Sequence, residues 1–437
     1  MKKIVIVLTL LMLVLCSACQ ENKPAVSPSA SQATQAPTEA PTEAPTKTPD
    51  TQLSLPNWSY DFKKPVDYAY DYQLADQYVP MWYSNVIYNE CCCFIKDGDS
   101  ITAKLKFKPT RIISVRDWSL KKEYVEGVDF TFDAETRTFT WLEGSSIPYF
   151  TTNFLSGKNE DGTKIPAFAG YDKEPWTTLG YTSWGNSIYC IGAPLYEKQM
   201  HVTYEYDNTA FEGPVQEFAG DKLPKTMAKL LNGDKLKIVF YGDSIPVGCD
   251  ASSMYNREPR QLDMAKLIQR ALKTIYGSNV TLRNTAVGGT TTQWAKENVQ
   301  NEVIKHKPDL VVLMTGGNDG DNTANSQQNI HDAVKAIKAG LPDCEIILMD
   351  TFVGNKDAGM ATAIKPILKG MHDQIAAAEE GVVSVGIFDL HNYFLDGKNY
   401  VDFSGNGINH PNDYMIRIYT QQLLSALVDF KGLSEKK

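Results

Sequence analysis

A chain of 437 residues is long enough for two domains and the segments that tether them. Its 43 Lys and Arg stand against 52 Asp and Glu, for a net charge of −9, and beyond the first residues no basic cluster is found. That balance excludes nucleic acid and anionic lipid as partners recognised by charge.

The N-terminus opens Met1-Lys2-Lys3, continues apolar from Ile4 to Leu15 and reaches Cys16-Ser17-Ala18-Cys19. A basic start with so short an apolar run predicts a secretory leader, since a membrane span needs ~20 apolar residues. The small residues before Cys19 resemble a bacterial lipobox, which implies cleavage over residues 1–19 with Cys19 as the lipidated first residue of a cell-surface lipoprotein. A plain secretory leader cut nearby is the alternative. Loss of Lys2 and Lys3 takes the net charge from −9 to −11. Residues 20–55 are rich in Ser, Thr, Ala and Pro, with the tandem Ala36-Pro37-Thr38-Glu39, Ala40-Pro41-Thr42-Glu43. Such composition predicts an extended linker, about 36 residues that span up to roughly 110 Å at ~3.1 Å each.

Residues 56–215 read as an all-β domain, a jelly-roll-like sandwich. Ser100 to Phe107 alternates with period two, and Tyr124–Phe132 with Thr136–Leu142 reads as a hairpin around Asp133-Ala134-Glu135. His201 to Tyr206 closes the set. Residues 144–190 form a turn-rich insertion with several aromatics, of which Trp176, Tyr181 and Trp184 are candidates to stack on sugar rings or, equally, to pack. Cys91, Cys92 and Cys93 lie in a strand-like stretch, and with Cys190, Cys249 and Cys344 they read as buried free thiols. No histidine stands near them at metal-ligand spacing, so no metal and no cofactor is expected.

Residues 216–234 are a connector with a short helix, and 235–437 switch to alternating strand and helix. Strands are expected near 237–241, 279–284, 309–315, 344–351 and 382–388, and helices near 260–276, 292–306, 326–340, 360–379 and 412–429. Five such units predict an α/β domain, a parallel sheet with helices on both faces and its site at the strand C-termini.

Directly after the first of these strands stands Gly242-Asp243-Ser244. A serine on a Gly-flanked turn after a buried strand is where hydrolases expose a nucleophile, although Pro246 breaks the wider G-x-S-x-G elbow. Three further segments follow in order: Asn284-Thr285-Ala286-Val287-Gly288-Gly289, Gly316-Gly317-Asn318-Asp319 and Asn409-His410-Pro411-Asn412. Together the four resemble the signature blocks of the SGNH (GDSL) hydrolases, over about residues 235–430. That resemblance implies a three-layer α/β/α fold, Ser244 as nucleophile and His410 as general base. It also implies an oxyanion hole from the Ser244 and Gly289 N–H groups and the Asn318 amide, with Gly288 the rival glycine. Ala286 replaces the first glycine of the family's second block.

One departure concerns the acid. The family's last block has Asp three residues before the histidine, and here that position is Gly407. The expectation is a Ser-His dyad whose imidazole is held by a backbone carbonyl, with Asp402 as a displaced third member or Asp413 as a helper. His391, after a strand end, is the rival base. The layout of sandwich before hydrolase is similar to carbohydrate esterase family 2. That likeness implies a serine esterase removing O-acetyl groups from plant polysaccharide, xylan or mannan, with peptidoglycan, lipid or aryl esters as alternatives. A non-catalytic carbohydrate-binding lipoprotein is the reading from another class.

Overall fold

The computed structural model describes residues 78–165, 180–321 and 323–435. The leader, Cys19, the linker and Trp176 lie outside the described residues, as does the side chain of Tyr181. Among the described residues no helix is long and apolar enough to cross a membrane.

The N-terminal domain is sheet-rich. Its strands are β1 (Val86–Asp97), β2 (Ser100–Lys104), β3 (Pro109–Arg116), β4 (Phe130–Asp133), β5 (Thr138–Trp141), β6 (Tyr149–Thr151), β7 (Gly180–Trp184), β8 (Ser187–Ile191) and β9 (Gln199–Tyr206). Seven of them form one sheet, six along the path β3-β9-β1-β2-β5-β4 and β6 off it, parallel to β1, and β7–β8 is a separate hairpin. The first part of β1 pairs with β9, while its last residues pair with β2 and β6. Its pairing with β9 shifts register between Ile87 and Glu90, at Asn89, whose φ is +48°. Period-two alternation fails along β1 because both of its faces are covered: Val86 through Phe94 are all buried. One covering element is the following domain, since Cys93 N donates to Asp402 Oδ1 at 2.7 Å. The six cysteines of the described residues are buried free thiols.

The connector holds α1 (Pro224–Asn232), started by Pro224 and closed by Gly233. Five parallel strands follow, β10 (Leu236–Gly242), β11 (Val280–Asn284), β12 (Leu310–Met314), β13 (Glu345–Met349) and β14 (Val382–Val385), ordered β11-β10-β12-β13-β14. Every residue of β12 and β13 is buried, as a sheet covered on both faces requires. The helices are α2 (Ser244–Val247), α3 (Met264–Tyr276), α4 (Thr292–Glu302), α5 (Ser326–Gly340), α6 (Lys365–Ala378), α7 (Phe388–Leu395) and α8 (Asp413–Leu427). Helix α3 starts later than the periodicity suggests because Asp263 caps it, accepting Lys266 N at 3.0 Å. Helix α7 is not foreseen by the sequence: its apolar residues follow β14 without a clear helical period.

From β10 the chain steps to β11 on one side, then crosses to β12 on the other. The strand order therefore reverses at β10, and open α/β sheets place their sites in the crevice at such a point. The largest apolar cluster runs through both domains, from Tyr78 and Phe94 to Leu390, Tyr414 and Phe430.

Candidate active site

The turn after β10 is built around Gly242. Its φ is +141°, and a Cβ there would fall onto the Met314 carbonyl oxygen at the end of β12. Glycine therefore lets the two strand ends meet, and Asp243 N donates to that same oxygen at 3.1 Å. Asp243 then caps α2, its Oδ1 accepting from Ile245 N at 3.0 Å, which leaves Ser244 as the first helical residue.

His410 reaches this serine from the loop between the 3-10 turn Tyr400–Asp402 and α8. The side chain of Asn406 organises that loop, its Oδ1 accepting from the N–H groups of Ile408, Asn409 and His410 at 3.0, 3.0 and 3.1 Å. Gly405 N and Ser404 Oγ donate to the His410 carbonyl at 2.9 and 3.1 Å. Held this way, His410 Nε2 lies 3.0 Å from Ser244 Oγ.

The other ring nitrogen corrects the expectation about the acid. Nδ1 of His410 stands 2.5 Å from Oδ2 of Asp250, six residues after the serine, so a carboxylate rather than a backbone carbonyl orients the imidazole. Asp402 does not serve. It is buried beneath β1, where its oxygens accept from Cys93 N at 2.7 Å and Asn399 N at 3.0 Å, and Lys398 Nζ stands 3.6 Å away. Asp413 is likewise engaged, accepting from Ser252 N at 2.9 Å, and so pins the stretch that follows Asp250. Burial pushes the Asp413 carboxyl up to about 6, against the lowering effect of Ser252. His391 is buried with its Nδ1 2.6 Å from Tyr419 Oη, and burial pulls it down to about 3, so it stays neutral and structural.

The second and third sequence blocks meet the first at this corner. Val287 N donates to Gly242 O at 2.9 Å, and Asn284 Nδ2 to Pro246 O at 2.6 Å. Gly288 and Gly289 are both buried, Gly289 with φ +76°. The Asn318 amide donates to Thr290 O at 3.0 Å, and Thr290 Oγ1 lies 3.1 Å from Gly242 O. Asp319 ties the third block to the start of α4, accepting from Thr292 N at 3.0 Å and from Ser326 Oγ at 3.1 Å. Beneath the nucleophile turn the Asp243 carboxyl is raised to about 7, first by burial, with Ile245 N–H and His410 acting in the lowering direction. Burial brings the nearby Lys365 ammonium down to about 8, partly offset by Asp243.

Asp250, Tyr255 and Asn406 are absent from the sequence reading. Asp250 alone carried a signal, as a carboxylate on the turn that holds the serine, but nothing in its spacing matched the family pattern. Trp184 is half-buried against Tyr189, ring centroids 6.3 Å apart, in a cluster with Tyr196, Tyr255, Ala358 and Ile408. Among the described residues no group of His, Cys, Asp and Glu is arranged to hold a metal.

A serine, an imidazole and a carboxylate in sequence can activate a hydroxyl for attack on an ester. The GDSL-like Lipase/Acylhydrolase family matches residues 240–417. This stretch is thus a GDSL-like (SGNH) acylhydrolase domain, with a sheet-rich domain ahead of it. Among solved structures the chain is similar to a two-domain esterase (CEX) active on acetylated mannans, at 20% identity and a TM-score of 0.42, covering 52% of this chain and 56% of that one. It is also similar to a catalytic mutant of Axe2, an acetylxylan esterase from Geobacillus stearothermophilus, at 21% identity and a TM-score of 0.35, covering 42% and 91%. The acetyl xylan esterase AlAXEase matches at 19% and a TM-score of 0.34, covering 44% and 100%. The chain spans little more than half the length of the two-domain esterase. No curated protein matches.

Proposed function

We propose that this protein is an exported serine esterase that removes O-acetyl groups from plant cell-wall polysaccharide of the xylan or mannan type. The reaction is carried by the contact of Ser244 Oγ with His410 Nε2 at 3.0 Å, backed by Asp250 at 2.5 Å. His410 takes the serine proton as Oγ attacks the acetyl carbonyl, and Asp250 stabilises the imidazolium so formed. The N–H groups of Ser244 and Gly289 and the Asn318 amide receive the oxyanion. The proton on His410 then passes to the sugar hydroxyl as it leaves, and water releases acetate from Ser244 by the same steps in reverse.

The substrate class rests on the resemblance of layout to carbohydrate esterase family 2 and on a nucleophile that is only 2% exposed, which favours a small acyl group. The N-terminal domain is read as a jelly-roll-like sandwich that folds about β1. Export and anchoring through Cys19, with the 20–55 linker as spacer, suit an enzyme that reaches polymer outside the cell. Acetate release from acetylated xylan, acetylated mannan and O-acetylated peptidoglycan, measured side by side, tests the assignment. Xylan or mannan is expected to be deacetylated fastest, and Ser244→Ala to be folded and inactive on all three. Preference for peptidoglycan would overturn the substrate class, and a folded Ser244→Ala protein with parent activity would overturn the mechanism.

A further inference from the structure

Gly407 occupies the place where the family resemblance puts an acid, and the N-terminal domain fills the space its side chain would need. Gly407 has φ +83°, and a Cβ on it would lie 2.5 Å from the backbone oxygen of Ile188. Ile188 belongs to β8, in the hairpin that the N-terminal domain lays over the hydrolase loops. The hairpin is fastened there by hydrogen bonds. Cys190 N donates to Asn406 O at 3.1 Å and Asn186 N to Asp357 O at 2.9 Å. Asn355 Nδ2 reaches both Ser187 Oγ, at 2.9 Å, and Gly407 O, at 2.8 Å. The carboxylate at His410 therefore comes from another segment, as Asp250.

Asp250 stands at φ +65°, a region that a non-glycine residue occupies only when its surroundings hold it. Both of its carboxylate oxygens are engaged. Oδ2 faces His410 Nδ1, and Oδ1 accepts the hydroxyl of Tyr255. Tyr255 ends a short turn, Ser252–Tyr255, whose first N–H is anchored on Asp413. Its ring meets that of Tyr196 edge-on, centroids 6.3 Å apart at 69°. Tyr196 comes from the N-terminal domain, on the turn Ala193–Tyr196 just after the hairpin.

We propose that Tyr255 is a positioning residue for Asp250, and that the N-terminal domain holds Tyr255 in place through Tyr196. This rests on the reading of Ser244, His410 and Asp250 as the catalytic relay. A carboxylate held at one oxygen turns about its Cβ–Cγ bond. A second donor on the other oxygen fixes the plane, so that Oδ2 stays in line with Nδ1–H while positive charge grows on the imidazole. Charge-assisted bonds of this kind, shielded from water, are the stronger ones.

Three variants of the full chain test it: Tyr255→Phe, Tyr196→Ala and Asp250→Asn. Each is measured for kcat and KM on p-nitrophenyl acetate, for Tm, and for the low-field proton resonance of the His410–Asp250 hydrogen bond. Tyr255→Phe is expected to lower kcat about tenfold with KM unchanged and only a small fall in Tm, and to shift or broaden the resonance. Tyr196→Ala is expected to give the same signature in weaker form. Asp250→Asn is expected to abolish the resonance and most of the activity. Tyr255→Phe with parent kcat and an unmoved resonance, beside an inactive Asp250→Asn, overturns the positioning role and leaves the relay standing. Parent activity in Asp250→Asn overturns the relay itself. A Tyr196→Ala protein that loses Tm with its resonance unmoved overturns the link to the N-terminal domain.

Discussion

At the scale of single residues, the position of the acid separates two carboxylates that the sequence leaves alike. Asp250 holds the Nδ1 side of His410, whereas Asp402 is spent on Cys93 N, Asn399 N and Lys398. Neutralising the acid of a full triad costs about 10⁴ in kcat, because the imidazole loses its productive tautomer. Asp250→Asn is therefore expected to lose activity on that order while keeping its fold. Asp402→Asn should instead lower Tm and leave kcat of the folded fraction near the parent value. Steady-state kinetics with calorimetry on both variants checks this, and a 10⁴-fold loss confined to Asp402→Asn would reverse the assignment. Ser244 and His410, which the structure brings to 3.0 Å, stand in ordered blocks of the sequence, as do Gly289 and Asn318, whose place in an oxyanion hole is part of the proposal. Asp250 is not legible. Its role depends on a left-handed backbone after α2 and on a loop 160 residues later, and no local pattern records either.

At the scale of elements, the β7–β8 hairpin explains why glycine stands at 407. The five parallel strands follow from the alternation of apolar runs and amphipathic helices, and the crevice follows from their order. The hairpin's docking does not follow, because aromatic and polar residues in a turn-rich insertion give no period that names a partner surface. Restoring the family's acid tests the account directly. Asp at position 407 would adopt φ +83° with its Cβ 2.5 Å from Ile188 O, and both conditions oppose it. The double variant Asp250→Asn, Gly407→Asp is expected to regain no activity and to melt below Asp250→Asn alone. Recovery of even a hundredth of the parent kcat in a stable double variant would show that the hairpin yields.

At the scale of the whole molecule, the sequence suggests two domains, yet the described residues are joined by buried charge as well as by a shared core. Lys398, from the hydrolase domain, is fully enclosed. Its Nζ lies 2.8 Å from Glu90 Oε1, 3.0 Å from Cys91 O and 2.8 Å from Lys104 O, all three on N-terminal strands. Burial alone would pull the ammonium down, but Asp402, Cys92 and Glu90 together hold it well above the ordinary lysine value. Arg417 makes a second link from α8, donating to Tyr88 O and Asn89 O at 2.9 and 3.0 Å, at the irregularity in β1. Removing one member of a buried ionic group leaves the others uncompensated and costs about 3–5 kcal/mol. Lys398→Met keeps most of the side-chain volume but not the charge, so it should destabilise by that amount, while Lys398→Met with Glu90→Gln should cost less than the two changes summed. Because the ion group and the apolar cluster both span the boundary, the parent should unfold in one calorimetric transition. Residues 216–437 expressed alone should lack a cooperative transition, having lost the cover over Lys398, Phe394 and Tyr414. Two separate transitions in the parent, together with a loss below 1 kcal/mol in Lys398→Met, would mean that the domains fold independently and that the N-terminal domain is not part of the catalytic body.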